Sequence, residues 1–296
     1  MHYRNDMRVL TYDIGGTAIK AGLFDHGELK IVDTFETHAK KGATSVIQNV
    51  IRHAQQFCNI EAIGISTCGQ VESEHGTIAY ANDNMPGYTG MPVASIIESA
   101  LHVPVHVEND VVCAGLGEYH FGKGKKTDDF LLVTFGTGIG GTLFIGGRPY
   151  HGTGPSAGIM IGGMLTSSII DDDPWKSSYE ADASVTALVN QAKTVDPSIT
   201  NGKDIMEKLN NPLIHSCLNS WQQKVALGIC SFIHLYNVPV VILGGGIMEQ
   251  DVIFDGISEM IHTYLIPGFR GVSIQKASLG NQAGLYGAYS LCERTI

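Results

Sequence analysis

Twice in this chain an apolar, strand-like run breaks on a glycine turn and resumes as a second run. Arg8 to Ile14 gives way to Ala18 to Phe24, and Phe130 to Phe135 gives way, past Gly136 to Gly141, to Thr142 to Ile145. Each pair reads as a β-hairpin, because alternation with period two lines one face of a strand and glycine tolerates the sharp reversal. The recurrence organises everything between. After the first hairpin come a third strand at Leu29 to Phe35 and a helix over Ser45 to Phe57, with Val46, Ile47, Val50, Ile51 and Ala54 at helical spacing. A strand at Ala62 to Ser66 precedes a polar, glycine-marked stretch from Cys68 to Gly90. A helix at Val93 to Leu101, a strand at Val105 to Glu108 and a helix from Asp110 to about Tyr119 follow. After the second hairpin the spacing predicts helices at about Ala181 to Ala192, Leu213 to Tyr236, Val252 to Leu265 and Ala283 to Cys292, with a buried strand at Val238 to Leu243. Hairpins followed by alternating strands and helices predict two mixed α/β lobes with a cleft between them. The expected division is residues 1–118 and 119–296, with the last helix packing back on the first lobe.

Composition narrows the function classes. With 296 residues, 44 % hydrophobic and 16 % charged, the chain can bury the cores of two domains. A net charge of −10 disfavours nucleic acid and anionic membranes as partners. The densest basic cluster, Lys123, Lys125 and Lys126, reads as a solvated loop. Cys58, Cys68, Cys113, Cys217, Cys230 and Cys292 form no Cys-x-x-Cys pair, the usage of a reducing compartment. The opening Met1 to Asp6 is polar, and no apolar stretch reaches the roughly 20 residues that span a bilayer. The expectation is a soluble, cytoplasmic protein.

Four motifs carry candidate chemistry. In Asp13-Ile14-Gly15-Gly16-Thr17 two glycines let backbone N–H groups approach an oxyanion, Thr17 adds a hydroxyl, and Asp13 is a ligand for hydrated Mg²⁺. The plainer alternative is a hairpin turn with a capping Asp. Gly136-Thr137-Gly138-Ile139-Gly140-Gly141 satisfies G-x-G-x-x-G, but a dinucleotide fingerprint opens a helix and wants an acidic residue about 20 positions on. Here Thr142 to Ile145 continue as a strand and Pro155 to Gly163 hold no acid, so a phosphate-holding hairpin survives and the dinucleotide reading does not. Gly244-Gly245-Gly246 ends a third strand, where flat backbone suits a purine ring and equally suits tight helix–strand packing. Glu108-Asn109-Asp110 sits at a strand-to-helix junction. Asp110 there is either a helix cap or the acceptor of a sugar hydroxyl proton, and Asn109 offers a donor and an acceptor to a sugar diol. The twelve histidines make no metal motif, and the methionines read as core filler.

Together and in this order, these junctions resemble the ROK family of bacterial sugar kinases, repressors and related proteins. Two further anchors are Asn84-Met85-Pro86-Gly87-Tyr88 and the run Leu279-Gly280-Asn281-Gln282-Ala283-Gly284-Leu285-Tyr286-Gly287-Ala288, so the resemblance covers essentially the whole chain. It implies a two-lobed actin-like ATPase (ribonuclease H-like) fold, α/β in class, with ATP and Mg²⁺ in its cleft. Asp110 matches the family's catalytic base, acting on a sugar 6-hydroxyl, and Asn84, Asn109 and Asp110 match sugar contacts. Gly15, Gly16, Thr17, Thr137 and Gly138 would surround the triphosphate, with Gly244, Gly245 and Gly246 near adenosine. The family's repressors carry an extra N-terminal domain, for which the early Asp13 motif leaves no room. The resemblance is compatible with a homodimer.

One region departs from the pattern. The family's Ala-Gly-Glu-hydrophobic-Gly-His and its Cys-rich zinc segment are replaced by Ala157-Gly158-Ile159-Met160-Ile161-Gly162-Gly163, with no Cys until Cys217. No zinc is expected. The pattern resumes at Tyr179-Glu180-Ala181, where Glu180 matches a further sugar-contacting Glu. The Met164-Leu165-Thr166 stretch looks like the zinc-free β-glucoside kinase branch, although that branch normally keeps the Glu. The resemblance therefore implies ATP-dependent phosphorylation of a hexose, an N-acyl hexosamine such as N-acetylmannosamine, or a β-glucoside, in a pocket tolerant of a substituent near C1 or C2. A non-catalytic, sugar-sensing regulatory protein on the same fold is the alternative. Asn84 and Glu108-Asn109-Asp110 argue against an acetate-type kinase.

Overall fold

The computed structural model describes residues 7–153 and 159–293. The chain divides into two compact units, the first formed by Met1–Lys125, Arg148–Ile159 and Asn281–Ile296, the second by Lys126–Gly147 and Met160–Gly280.

Unit 1 opens with strands β1 (Val9–Ile14), β2 (Ala18–Asp25) and β3 (Glu28–Glu36), followed by helix α1 (Ala43–Ala54) and β4 (Ala62–Thr67). The small hairpin β5 (Gln70–Glu72) and β6 (Thr77–Tyr80), helix α2 (Val93–Leu101), β7 (Val105–Asn109) and α3 (Asp110–Phe121) complete its first segment. Its sheet runs β3–β2–β1–β4–β7; β1 and β2 are antiparallel, β1, β4 and β7 parallel. The near-continuous apolar run of β1 follows from burial on both faces, as parallel strands require. Leu10, Tyr12 and Ile14 join Val46, Ile47 and Val50 of α1 in one core. Val9 and Phe24 form another with Tyr289 and Cys292, whose ring and thiol come from the last helix.

Unit 2 repeats the plan with β8 (Phe130–Phe135) and β9 (Ile139–Ile145) as the hairpin. The short strand β10 (Arg148–Pro149) begins the segment that belongs to unit 1. Helices α4 (Tyr179–Ala183), α5 (Val185–Val195), α6 (Gly202–Glu207) and α7 (Pro212–Tyr236) precede β11 (Val240–Gly244), α8 (Asp251–Tyr264) and β12 (Ser273–Lys276). The strands run β9–β8–β11–β12, again an antiparallel hairpin followed by parallel neighbours. The final helix α9 (Ala283–Cys292) lies in unit 1, packed along α3. That packing needs glycine at Gly287, where a methyl group would overlap the backbone of Cys113.

Three expectations are corrected. The helix expected over Ala181 to Ala192 is two helices, because Ser184 caps a new start: its Oγ accepts the N–H of Ala187 at 3.1 Å. The Trp221 indole N–H at the same break donates to the carbonyls of Ala183 and Ser184, at 2.9 and 3.0 Å. The second glycine turn is shorter than expected. It spans residues 136–138, and β9 begins at Ile139 with Gly140 and Gly141 inside it, Gly141 making room for the Ile161 side chain. The polar stretch from Cys68 to Gly90 contains the β5–β6 hairpin.

Among the described residues no helix is long and apolar enough to cross a membrane. The polar start, Met1 to Asp6, and Ala157-Gly158 lie outside the described residues.

Candidate active site

In unit 1 the carboxyl ends of three neighbouring strands bring the acidic motifs together. Asp13 on β1 lies in register with Ser66 on β4, which lies in register with Glu108 on β7. The carboxyl ends of parallel strands are where open α/β sheets place their ligands. Ser66 Oγ donates to Asp13 Oδ1 at 2.8 Å, and Lys20 Nζ sits 3.4 Å from Asp13 Oδ2.

At the β7–α3 junction Asn109, not Asp110, caps the helix. Its Oδ1 accepts the N–H groups of Val111 and Val112 at 2.9 and 3.2 Å, and its Nδ2 donates to the Gly69 carbonyl at 2.9 Å. Asn109 also hydrogen-bonds the Asp110 carboxylate through its side chain, which ties the two residues together. Asp110, relieved of the cap, keeps a partly buried carboxylate whose Oδ1 accepts the N–H of Val111 at 2.9 Å. Burial, reinforced by the negative charge of Asp13, pushes its pKa up to about 6. That is the range of a general base that works near neutrality.

Asn84 is exposed on a turn fixed from beneath. Its neighbours Met85 and Tyr88 are buried, the Tyr88 hydroxyl lies 2.7 Å from Thr67 Oγ1, and the Pro86 carbonyl accepts the N–H of Ala43 at 2.9 Å. Thr67 is the register partner of Asn109, so the Asn84 turn is tied to the strand that flanks the Asp110 junction.

Sequence reasoning quoted Glu108 without giving it a role. It is 3 % exposed; Oε2 accepts from Ser73 Oγ at 2.7 Å, Oε1 accepts the Asn109 N–H at 2.7 Å, and His151 Nε2 is 3.8 Å away. Burial raises its pKa. Its side-chain partners Ser73 and His151 come from distant parts of the chain, and no local pattern marks them.

The turn at Gly15, Gly16 and Thr17 is braced by its own backbone. The Gly15 N–H donates to the Ala18 carbonyl at 3.1 Å, Thr37 Oγ1 to the Gly15 carbonyl at 2.6 Å, and the Thr37 N–H to the Thr17 carbonyl at 2.9 Å. The N–H groups of Gly16 and Thr17 make no backbone hydrogen bond among the described residues, and both residues are exposed. Exposed backbone N–H groups of this kind are the groups that anion sites use.

Unit 2 builds its turn in the same way. The Gly136 carbonyl accepts the N–H of Val185 at 3.0 Å and the Thr137 carbonyl accepts Thr186 Oγ1 at 2.7 Å, leaving Thr137 exposed. Glu180 clamps the turn. Its Oε2 accepts the Ile139 N–H at 2.7 Å and its Oε1 accepts the Trp175 indole N–H at 3.1 Å. A methyl group at Gly138 would overlap the Glu180 carboxylate and displace it from this clamp. At the third junction Gly245 holds φ at +96° against the Phe135 carbonyl, and Gly246 has open space around it. Of the segment that departs from the family pattern, Ile161 and Gly162 are buried packing groups and Met160 is exposed.

Solved structures share this architecture. A ROK glucokinase from Streptomyces griseus, in complex with glucose and AMPPNP, superposes with a TM-score of 0.82 at 27 % identity, over 96 % of this chain and 98 % of that one. A ROK hexokinase from Thermus thermophilus gives 0.80 at 28 % identity, over 95 % and 96 %. The fold is thus the actin-like α/β fold of ROK sugar kinases. A β-glucoside kinase from Listeria innocua is 29 % identical over 95 % of this chain and 96 % of its own length. A sequence model of the ROK family matches residues 9–295. With its glycine turns, its Glu108-Asn109-Asp110 junction and nearly its full length accounted for in this way, the chain belongs to the ROK family.

Proposed function

We infer that the protein is an ATP-dependent carbohydrate kinase that phosphorylates the 6-hydroxyl of a hexose or of a hexose bearing a substituent, with β-glucosides the favoured class. The observation that carries this is Asp110: a carboxylate with a raised pKa, freed from capping by Asn109, at the mouth of parallel strands. In this reading Asp110 orients the attacking hydroxyl and takes its proton. Asn84 and Asn109 hold other hydroxyls of the sugar, and Glu180 matches a further sugar contact in the family pattern. The N–H groups of Gly16 and Thr17, and the turn at Thr137 and Gly138, receive phosphate oxygens, with Gly244 to Gly246 beside adenosine. Phosphoryl transfer needs mainly positioning and charge stabilisation, which these groups supply. Asp13 fits a hydrated Mg²⁺, since this ion takes one or two carboxylates and fills its shell with water and phosphate oxygens. Bound there, the ion would neutralise phosphate charge.

Two features support a substituted sugar. The chain is similar to a β-glucoside kinase along nearly its whole length, and residues 159–163 present no polar side chain where the family pattern has Glu and His. A site without those partners cannot reject a substrate by leaving them unpaired. A coupled assay across glucose, N-acetylmannosamine, N-acetylglucosamine, mannose, fructose and cellobiose tests the reading. Turnover of cellobiose at a kcat/KM equal to or above that of glucose is expected. No ATP turnover with any sugar overturns the assignment.

Two further results are expected. Because the base must be ionised, kcat/KM should fall about tenfold per pH unit below about pH 6 and level off above it. A profile flat to pH 4.5 excludes Asp110 as the base. Among the described residues, the His, Cys, Asp and Glu side chains close enough to share a metal are Glu72, Glu74 and His75, a group without cysteine. Because the six cysteines are dispersed and the family's His is missing, elemental analysis should find no stoichiometric zinc, and activity should survive chelation once Mg²⁺ is restored. One zinc per chain overturns this.

A further inference from the structure

Trp175 is an exposed indole on a braced support. It sits on a short turn of 3₁₀ helix, Pro174–Ser177, whose first N–H is capped by Asp173 at 3.1 Å. The Ser177 carbonyl accepts the N–H of Thr166 at 3.0 Å, and the Tyr179 N–H donates to the Met164 carbonyl at 2.7 Å, so the loop is tied at both flanks. The ring edge lies against Gly163, where an added methyl would stand 3.1 Å from Trp175 Cζ3. Its N–H is spent on Glu180 Oε1, yet 45 % of the residue remains exposed. Met160, 52 % exposed, also borders Gly163. A large aromatic whose polar edge is anchored and whose body is held in water is an arrangement that binding sites use for apolar recognition.

We propose that Trp175 is a specificity-determining residue whose indole receives the substituent of a β-glucoside, an aryl group or a second pyranose ring, next to the sugar held by Glu180. The proposal rests on the reading of Glu180 as a sugar contact and extends it to a substrate class. A pyranose ring and an aryl group both present an apolar face that packs on an aromatic one. Glucose has no such group and gains nothing from it. Trp175 also fixes Glu180 through its N–H, so ring and carboxylate act as one rigid element.

The chain has two tryptophans, and Trp221 is fully buried, so a ligand-induced change in the emission excited at 295 nm that is lost in Trp175→Phe reports Trp175. Phenyl β-D-glucoside and cellobiose should change that emission more than glucose does, and Trp175→Phe should abolish the difference. In turnover assays Trp175→Ala should raise KM for phenyl β-D-glucoside about tenfold more than KM for glucose, with kcat for both altered less. Trp175→Phe keeps a ring but loses the N–H to Glu180, and should retain most of the preference for the glucoside. Equal changes for glucose and glucoside in Trp175→Ala overturn the proposal, as does turnover of the glucoside by the parent without any emission change. An emission response without ATP turnover would uphold the Trp175 site while overturning the kinase reading, so the two fail separately.

Discussion

If Asp110 is the base proposed above, Asp110→Asn should lose about 10²–10⁴-fold in turnover, the usual worth of a positioned general base, while the folded protein becomes more stable. The two effects have one cause. The Asp110 pKa rises from 3.8 to about 6 on folding, because burial and the charge of Asp13 penalise the ionised form. The folded state therefore holds this proton more tightly than the unfolded chain does. Between about pH 4 and pH 6 the folded state binds more protons, so raising the pH through this window lowers stability, and above pH 6 the full penalty is present. A shift of about two units corresponds to roughly 1–3 kcal/mol once the residual exposure of Asp110 is allowed for. Asn removes the charge and keeps an oxygen to accept the Val111 N–H. Its Tm should exceed the parent's by about 2–8 °C at pH 7.5, and the difference should vanish near pH 4. ATP binding should be nearly intact. A variant that retains most of the activity removes Asp110 from the mechanism, and a variant less stable at pH 7.5 shows that the carboxylate is not strained in the fold.

How much of this was legible in the sequence depended on whether the signal was local. The helices at Val93–Leu101 and Ala283–Cys292 have the bounds that the sequence predicts, the first because it lays a periodic face on a core, the second because it is apolar and small-residue-rich along its whole length and buried nearly all round. The β1–β2 hairpin was equally plain, since its strands are apolar and the glycines between them force the reversal. The break at Ser184 was not, because Val185, Leu188, Val189 and Ala192 continue the helical spacing; the interruption comes from a serine cap and from Trp221, far along the chain. β12, the four residues Ser273–Lys276, carries too little apolar pattern to signal a strand, and its pairing to Val240–Leu243 defines it. In the candidate site, Asp13, Asn109 and Asp110 stand at strand ends and were found by that position. The jobs they divide were not legible. Two adjacent residues, Asn109 and Asp110, could each cap α3, and only the hydrogen bonds distinguish them. Likewise the clamp from Glu180 to Ile139 and Trp175, and the contacts of Glu108 with Ser73 and His151, join residues with no common motif.

The Gly244-Gly245-Gly246 junction, where the sequence left purine contact and tight packing equally open, yields the second large effect, and its two later glycines should behave oppositely. At Gly245 the backbone holds φ at +96°, a conformation that costs a side-chain-bearing residue about 1–3 kcal/mol. An added methyl would also run into the Phe135 carbonyl group. Phe135 cannot easily yield: it is fully buried, edge-on to both Tyr179 and Trp221. It also immediately precedes the turn at Gly136, so any displacement reaches Thr137 and Gly138. Overpacking of this kind adds about 1–3 kcal/mol, so Gly245→Ala should lower stability by about 2–5 kcal/mol and Tm by about 5–15 °C. Gly246 begins a 3₁₀ turn, and a methyl built on it meets nothing within 4 Å. Gly246→Ala should therefore leave stability within about 0.5 kcal/mol of the parent. If the open face at Gly246 is where adenosine lies, the same methyl stands in the nucleotide's place, and Kd for ATP should rise at least about tenfold, while phenyl β-D-glucoside binding measured by emission stays unchanged. Thermal unfolding and ATP titration of the two variants give the answer together. Unaltered ATP affinity in Gly246→Ala would put adenosine elsewhere, and a Gly245→Ala protein as stable as the parent would show that the junction has slack which the Phe135 contact does not suggest.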